Sequence, residues 1–172
     1  MSAKHPIIAI TGSSGAGTTS VKKIFDQIFR REDVRAAFIE GDAFHRYDRQ
    51  AMKAKMLDEE SRGNRDFSHF SPEANVLEKL QEVFQDFGRK GRGETRHYIH
   101  DQDEAQLYGG EPGTFSAWAP LEESDLLFYE GLHGCVKTDT VDLAPLVDLK
   151  IGVVPVINLE WIQKIHRDKA AR

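Results

Sequence analysis

Gly12-Ser13-Ser14-Gly15-Ala16-Gly17-Thr18-Thr19 follows the apolar run Ile7-Ile8-Ala9-Ile10 and precedes a stretch in which Val21, Ile24, Phe25, Ile28 and Phe29 recur at helical spacing. Strand, glycine loop and helix in that order make a phosphate-binding P-loop. Glycines let successive backbone N–H groups turn inward on phosphate oxygens, and the helix N-terminus behind them adds roughly half a positive charge. Gly12, Ser13, Ser14, Gly15, Ala16, Gly17, Thr18 and Thr19 are therefore assigned to nucleotide binding. The pattern departs from the usual one at a single place: Thr18 stands where Lys is usual. Thr19 takes the Ser/Thr place, where a hydroxyl can ligate Mg²⁺. A cation for the terminal phosphates must then come from elsewhere in the chain.

Outward from the loop, four apolar runs of strand length occupy residues 6–11, 35–39, 125–129 and 149–157. Their continuous apolar character, with helical patterns between them, predicts an α/β fold with a mainly parallel sheet covered by helices on both faces. The spacing predicts the P-loop helix over 18–31 and a second helix from Ser71-Pro72-Glu73 to about Gly88, with Ser71 as N-cap and Pro72 in the first turn. Its stripe Val76, Leu77, Leu80, Val83, Phe84 and Phe87 reads as core. Residues 88–120 are glycine-rich and poorly periodic, a long loop with a short strand expected near 95–99. The basic stretch 89–97 reads as solvated. In the last stretch Leu159, Ile162 and Ile165 share one side of a helical pattern, and Lys164, Arg167, Asp168 and Arg172 share the other. That pattern stops without a cap, which leads us to expect the N-terminal part of a longer protein.

Phosphoryl transfer needs a phosphate cradle, a divalent metal, a base for the attacking hydroxyl and cations around the transferring group. Asp42 follows the second apolar run and, at the carboxyl end of a parallel strand, should emerge beside the P-loop. There it could accept a hydroxyl proton; its bland alternative is to cap the turn. The run Leu126-Leu127-Phe128-Tyr129-Glu130-Gly131 resembles a Walker B segment with Glu130 as a metal-holding carboxylate alongside Thr19. Lys164 and Arg167 could supply the charge that Thr18 lacks, or Lys164 could simply pair with Asp168 on a solvated helix. His97 and His100 do not have a common zinc spacing, and Cys135 reads as a small, partly buried residue.

Bulk properties exclude other classes. With 172 residues, 40% hydrophobic and 30% charged, the chain fits one α/β domain. Its apolar runs fall short of the ~20 residues a membrane span needs, so no membrane role is expected. A net charge of −5 gives no electrostatic case for nucleic acid. The single Cys135 and an N-terminus without an apolar signal core make the cytoplasm the expected compartment.

The blocks Thr11-Gly12-Ser13-Ser14-Gly15-Ala16-Gly17-Thr18, Ile39-Glu40-Gly41-Asp42-Ala43-Phe44-His45-Arg46, Phe67-Ser68-His69-Phe70, Leu127-Phe128-Tyr129-Glu130-Gly131-Leu132-His133-Gly134 and Asn158-Leu159-Glu160-Trp161-Ile162-Gln163-Lys164-Ile165-His166-Arg167-Asp168 together resemble bacterial-type phosphoribulokinases. The resemblance implies a P-loop kinase fold in one domain over residues 1–172, incomplete at its C-terminus because family members continue further. It implies Mg²⁺-dependent transfer of the γ-phosphoryl of ATP to the C1 hydroxyl of ribulose 5-phosphate for carbon fixation, by a homo-oligomer in the full-length form. Thr at position 18 is normal in that family. By position, the resemblance makes Asp42 the base and Glu130 the metal-site acid, with Thr19 as the other metal ligand. It assigns His45, Arg49, Tyr98, Lys164 and Arg172 to the sugar phosphate, and Lys164, Arg167 and Asp168 to the catalytic helix. Uridine kinase-like and pantothenate kinase-like enzymes share the P-loop and both carboxylates, and a nucleotide-binding fragment without turnover is a further alternative. The basic and polar set His45, Arg49, Arg96 and Lys164 favours an acceptor that already carries phosphate.

Overall fold

The computed structural model describes residues 4–154 apart from Ser14, together with 156, 161, 162, 164–166 and 169. In chain order the elements are β1 (Ile7–Gly12), α1 (Thr18–Arg31), β2 (Ala36–Glu40), a 3-10 turn (Gly41–Phe44), α2 (Arg49–Ser61), α3 (Leu77–Lys90), β3 (Glu94–Thr95), α4 (Gln102–Tyr108), β4 (Ala119–Pro120), β5 (Leu126–Glu130) and β6 (Leu149–Val153). The main sheet has the order β2-β5-β1-β6. All of its pairings are parallel, and the P-loop strand β1 lies between β5 and β6.

Side-chain alternation divides the core into two layers. Ile7, Ala9, Ala37, Ile39, Leu127 and Tyr129 face Leu80, Val83, Phe84 and Phe87 of α3. Ile10, Leu126 and Phe128 face Phe29, with Val21 and Phe25 of α1 packed against them. Phe128 lies at the centre of the second layer, with ring centroids 5.3 Å from Phe25 and Phe38 and 5.7 Å from Phe29. This is a sheet flanked by helices, as the continuous apolar runs predict. No helix among the described residues is long and apolar enough to cross a membrane.

Several expectations are corrected. The fourth run stops being strand at Val153; Val154 and Val156 lie outside it, and residues 155 and 157 lie outside the described residues. Among the described residues β6 is an edge strand with one neighbour and leaves Leu149 46% exposed, so it is not covered on both faces there. Pro72 opens only a 3-10 turn ending at Ala74. The buried Asn75 is extended, its amide bonding to the carbonyls of His69 and Ser71 at 3.1 and 2.8 Å, and this interrupts the helix. Helix α3 begins at Leu77 and runs through Gly88 to Lys90, with Gly91 in the left-handed conformation as its C-cap. Helix α2 has no buried residue and so no apolar stripe to announce it; Asp48 caps it by accepting from the Ala51 N–H at 2.8 Å.

Within 88–120 the structure has a short α4, capped by Asp101, and the antiparallel β3–β4 pair. The strand expected near 95–99 is reduced to Glu94–Thr95 and an isolated bridge between Tyr98 and Phe115. Near the end of the chain Ile162 and Ile165, of the apolar side, are both exposed, and Leu159 lies outside the described residues.

Candidate active site

The carboxyl ends of β1, β2 and β5 open into a cleft of about 600 Å³. Its walls come from the P-loop, from Glu40, Gly41, Asp42 and His45 after β2, from His69 and Phe70, from His100 and Glu104, and from residues 130–133 after β5. Gly17 caps α1 with φ 95° and, having no side chain, makes no side-chain capping bond to the first turn, while its carbonyl accepts from the Ser20 and Val21 N–H groups. A Cβ on Gly131 would come within 2.8 Å of Gly41 Cα, so only glycine lets the β2 and β5 ends approach closely enough to bring Asp42 and Glu130 to one cleft.

Thr18, in the place of the usual lysine, donates its hydroxyl to Glu130 Oε1 at 2.5 Å. Thr19 is exposed on the cleft wall. Lys22, one helical turn beyond Thr18, pairs with Glu40 at 2.5 Å. Glu40 and Glu130 are register partners at the ends of adjacent strands. Lys22 is a cation close to the loop that sequence reading missed; its signal was the four-residue offset from Thr18 along α1.

Asp42 is held between two histidines. His45 Nε2 lies 3.2 Å from Asp42 Oδ1, and its Nδ1 is 2.8 Å from Asn75 Oδ1. His100 Nε2 lies 3.3 Å from Asp42 Oδ2, and its Nδ1 is 3.0 Å from Glu104 Oε2. Each ring thus faces two acceptors, which only the doubly protonated imidazolium satisfies. The crowding of the cleft pushes the Asp42 carboxyl up, but the hydrogen bonds and charges of His100 and His45 outweigh it and hold the group well below the usual carboxylate range. The bond to Asp42, opposed by burial and aided by Glu104, raises His100 to about 9. Burial pulls His45 down, yet Asp42 and Asn75 leave it above its ordinary value. The arrangement is an ionised carboxylate between two cationic rings, beside an anion cradle. Sequence reading considered His100 only as a metal ligand, because the fold, not any local pattern, carries it to Asp42.

Arg49 and Tyr98 are not among the cleft-lining residues. Arg49 donates to the His100 carbonyl at 3.2 Å, and the Tyr98 ring packs edge-on against His45 and His100 at 5.9 and 5.0 Å. Burial first, then the His45 charge, with a smaller part from Lys164, hold His69 below its ordinary value. Ser14, Arg167, Asp168 and Arg172 lie outside the described residues. Arg96 is not a solvated member of a basic loop: its Nε and Nη2 donate to the carbonyls of Ala43 and His45, both at 2.7 Å.

Residues 7–172 match the phosphoribulokinase / uridine kinase family. The chain is 66% identical over 172 residues to the phosphoribulokinase of Sinorhizobium medicae, covering 100% of this chain and 59% of that one. Among solved structures, a phosphoribulokinase from Rhodobacter spheroides superposes with a TM-score of 0.85 at 56% identity, over 98% of this chain and 58% of that one. A possible uridine kinase from Bacillus stearothermophilus shares the fold, with a TM-score of 0.66 at 15% identity over 99% of this chain and 82% of that one. The chain therefore spans about three fifths of the length of its curated relatives.

Proposed function

Because the chain belongs to the phosphoribulokinase / uridine kinase family, we propose that it is the part of a phosphoribulokinase that carries the P-loop and the base, transferring the γ-phosphoryl of ATP to the C1 hydroxyl of ribulose 5-phosphate. The observation that carries the proposal is Asp42, ionised between His45 and His100 and opening onto the same cleft as the P-loop. Asp42 orients the acceptor hydroxyl and takes its proton as the O–P bond forms and ADP leaves. The 66% identity to the Sinorhizobium medicae phosphoribulokinase supports a phosphorylated sugar over a neutral nucleoside as acceptor. His45, Lys164 and Arg172 would bind that sugar phosphate, Arg49 and Tyr98 would support it from behind His45 and His100, and Lys164, Arg167 and Asp168 would complete the catalytic surround.

The hard oxygen donors of Thr19 and Glu130 suit Mg²⁺, which when bound would neutralise charge between the terminal phosphates of ATP. Glu130 accepts the Thr18 hydroxyl at one oxygen, which orients the carboxylate at the loop. A cytoplasmic homo-oligomer is the assembly that fits this reading.

An ADP-release assay tests it, with Mg²⁺-ATP and ribulose 5-phosphate, uridine or pantothenate as acceptor. It should be run on this chain and on this chain extended with the C-terminal segment of the Sinorhizobium medicae relative. Turnover confined to ribulose 5-phosphate is expected. Faster turnover of uridine would overturn the substrate, and ATP binding without turnover in both forms would identify a nucleotide-binding fragment.

A further inference from the structure

Arg96 stands one residue past β3, half-buried, with its guanidinium carbon 3.6 Å from the Phe115 ring centroid and 4.7 Å from that of Trp118. Among the described residues no carboxylate pairs with it, and burial lowers its affinity for the proton. Enclosing a guanidinium without a counter-charge is unfavourable unless its donors are used well. Here they are used on two backbone oxygens: Nε donates to the Ala43 carbonyl and Nη2 to the His45 carbonyl, each at 2.7 Å. These two oxygens flank Phe44 in the turn that starts immediately after β2 and contains Asp42. Trp118, which covers the guanidinium, also packs edge-on against Phe44 at 5.6 Å. Four residues further along the same segment, His100 reaches the Asp42 side chain at 3.3 Å. One segment therefore grips the Asp42 turn twice, by its backbone through Arg96 and by its carboxylate through His100.

We infer that Arg96 is a positioning residue whose planar fork locks the carbonyls of Ala43 and His45, and thereby aims the Asp42 carboxylate into the cleft. The inference rests on the reading of Asp42 as the base. A lysine cannot replace the arginine, because one ammonium lacks the fixed two-pronged geometry that holds two carbonyls at once. Phosphoryl transfer is sensitive to this, since displacing a reacting group by about 1 Å costs on the order of 10²-fold.

The test uses Arg96→Lys and Arg96→Met in the full chain, with thermal unfolding, Mg²⁺-ATP calorimetry, an NMR titration of the His100 ring, and turnover. Both variants should fold and bind nucleotide within about twofold of the parent, while turnover falls about 10–100-fold. The His100 midpoint should move from about 9 toward its ordinary 6.5 as Asp42 draws away. A folded Arg96→Lys variant with unchanged His100 titration overturns the inference, as does a shifted titration with unchanged turnover. Failure of both variants to fold also overturns it, because Arg96 would then be holding the whole domain. The titration needs no acceptor, so it decides the role of Arg96 even if ribulose 5-phosphate proves to be the wrong substrate.

Discussion

At the scale of single residues, Asp42, the proposed base, illustrates how the same contacts would keep such a group ready and limit its strength. Its two histidine partners hold it ionised far below neutral pH, which makes it a weak proton acceptor in the ground state. A loose phosphoryl-transfer transition state asks for little deprotonation early on, so a well-placed weak base suffices. Asp42→Asn preserves the shape and removes the proton acceptor. Turnover should fall roughly 10²–10⁴-fold with nucleotide affinity little changed; near-parental turnover in the extended chain would remove Asp42 from the base role. His100 gives a separate handle through stability. Its value is about 9 in the folded chain and 6.5 ordinarily, so folding binds the proton more tightly than the unfolded chain does. The stability it contributes is present below about pH 6.5 and is lost as pH rises through about 9. His100→Gln should therefore lower the unfolding midpoint most near pH 6 and least near pH 10, and a pH-independent deficit would show that the Asp42–His100 contact does not form. Asp42 and Glu130 were legible as strand-terminal acids because the P-loop says which end of the sheet carries the chemistry. His100, Asn75 and Arg96 were not, because their roles depend on a segment whose path to the β2 turn has no periodicity to read.

Elements differ in how openly they announce themselves. The helices α1 and α3 carry full apolar stripes, and both were legible nearly to the residue at α1 and less so at the start of α3, where a buried asparagine breaks what Ser71 and Pro72 appeared to begin. The two surface helices escaped detection for opposite reasons: α2 buries nothing, and α4 has only 7 residues. In the proposed reading the P-loop and the first turn of α1 act as one element, in which backbone donors would bind the phosphates and side chains would direct the metal. Thr18 and Thr19 point to different tasks there, one to Glu130 and the other to the open cleft. Thr19→Ala should accordingly weaken Mg²⁺-dependent ATP binding while leaving metal-free nucleotide binding closer to the parent, since it deletes one oxygen donor and no backbone N–H. Calorimetry with and without Mg²⁺ checks this, and equal losses in both would mean that the hydroxyl serves the loop and not the metal.

For the whole molecule, the parallel sheet was legible because central strands buried on both faces must be apolar without interruption, and β5 satisfies that from Leu126 to Tyr129. The rim was less legible: among the described residues β6 has a partner on one side only, and its apolar composition resembles that of the buried strands although its surroundings do not. Burial, and not composition, should then rank the energetic weight of apolar residues across the fold. Phe128 is fully buried, pairs in register with Ile8 and Phe38, and touches three other phenylalanine rings. Ile24 of α1 is 56% exposed although it belongs to the same helical stripe that marks the element. Phe128→Ala should cost about 3–5 kcal/mol, from lost transfer energy plus the cavity left behind. Ile24→Ala should stay within about 0.5 kcal/mol, as surface changes do. Denaturant unfolding of the two variants beside the parent measures both. Equal costs would mean that α1 packs on the sheet through a different face, which would also displace Thr18 and Thr19 from the cleft.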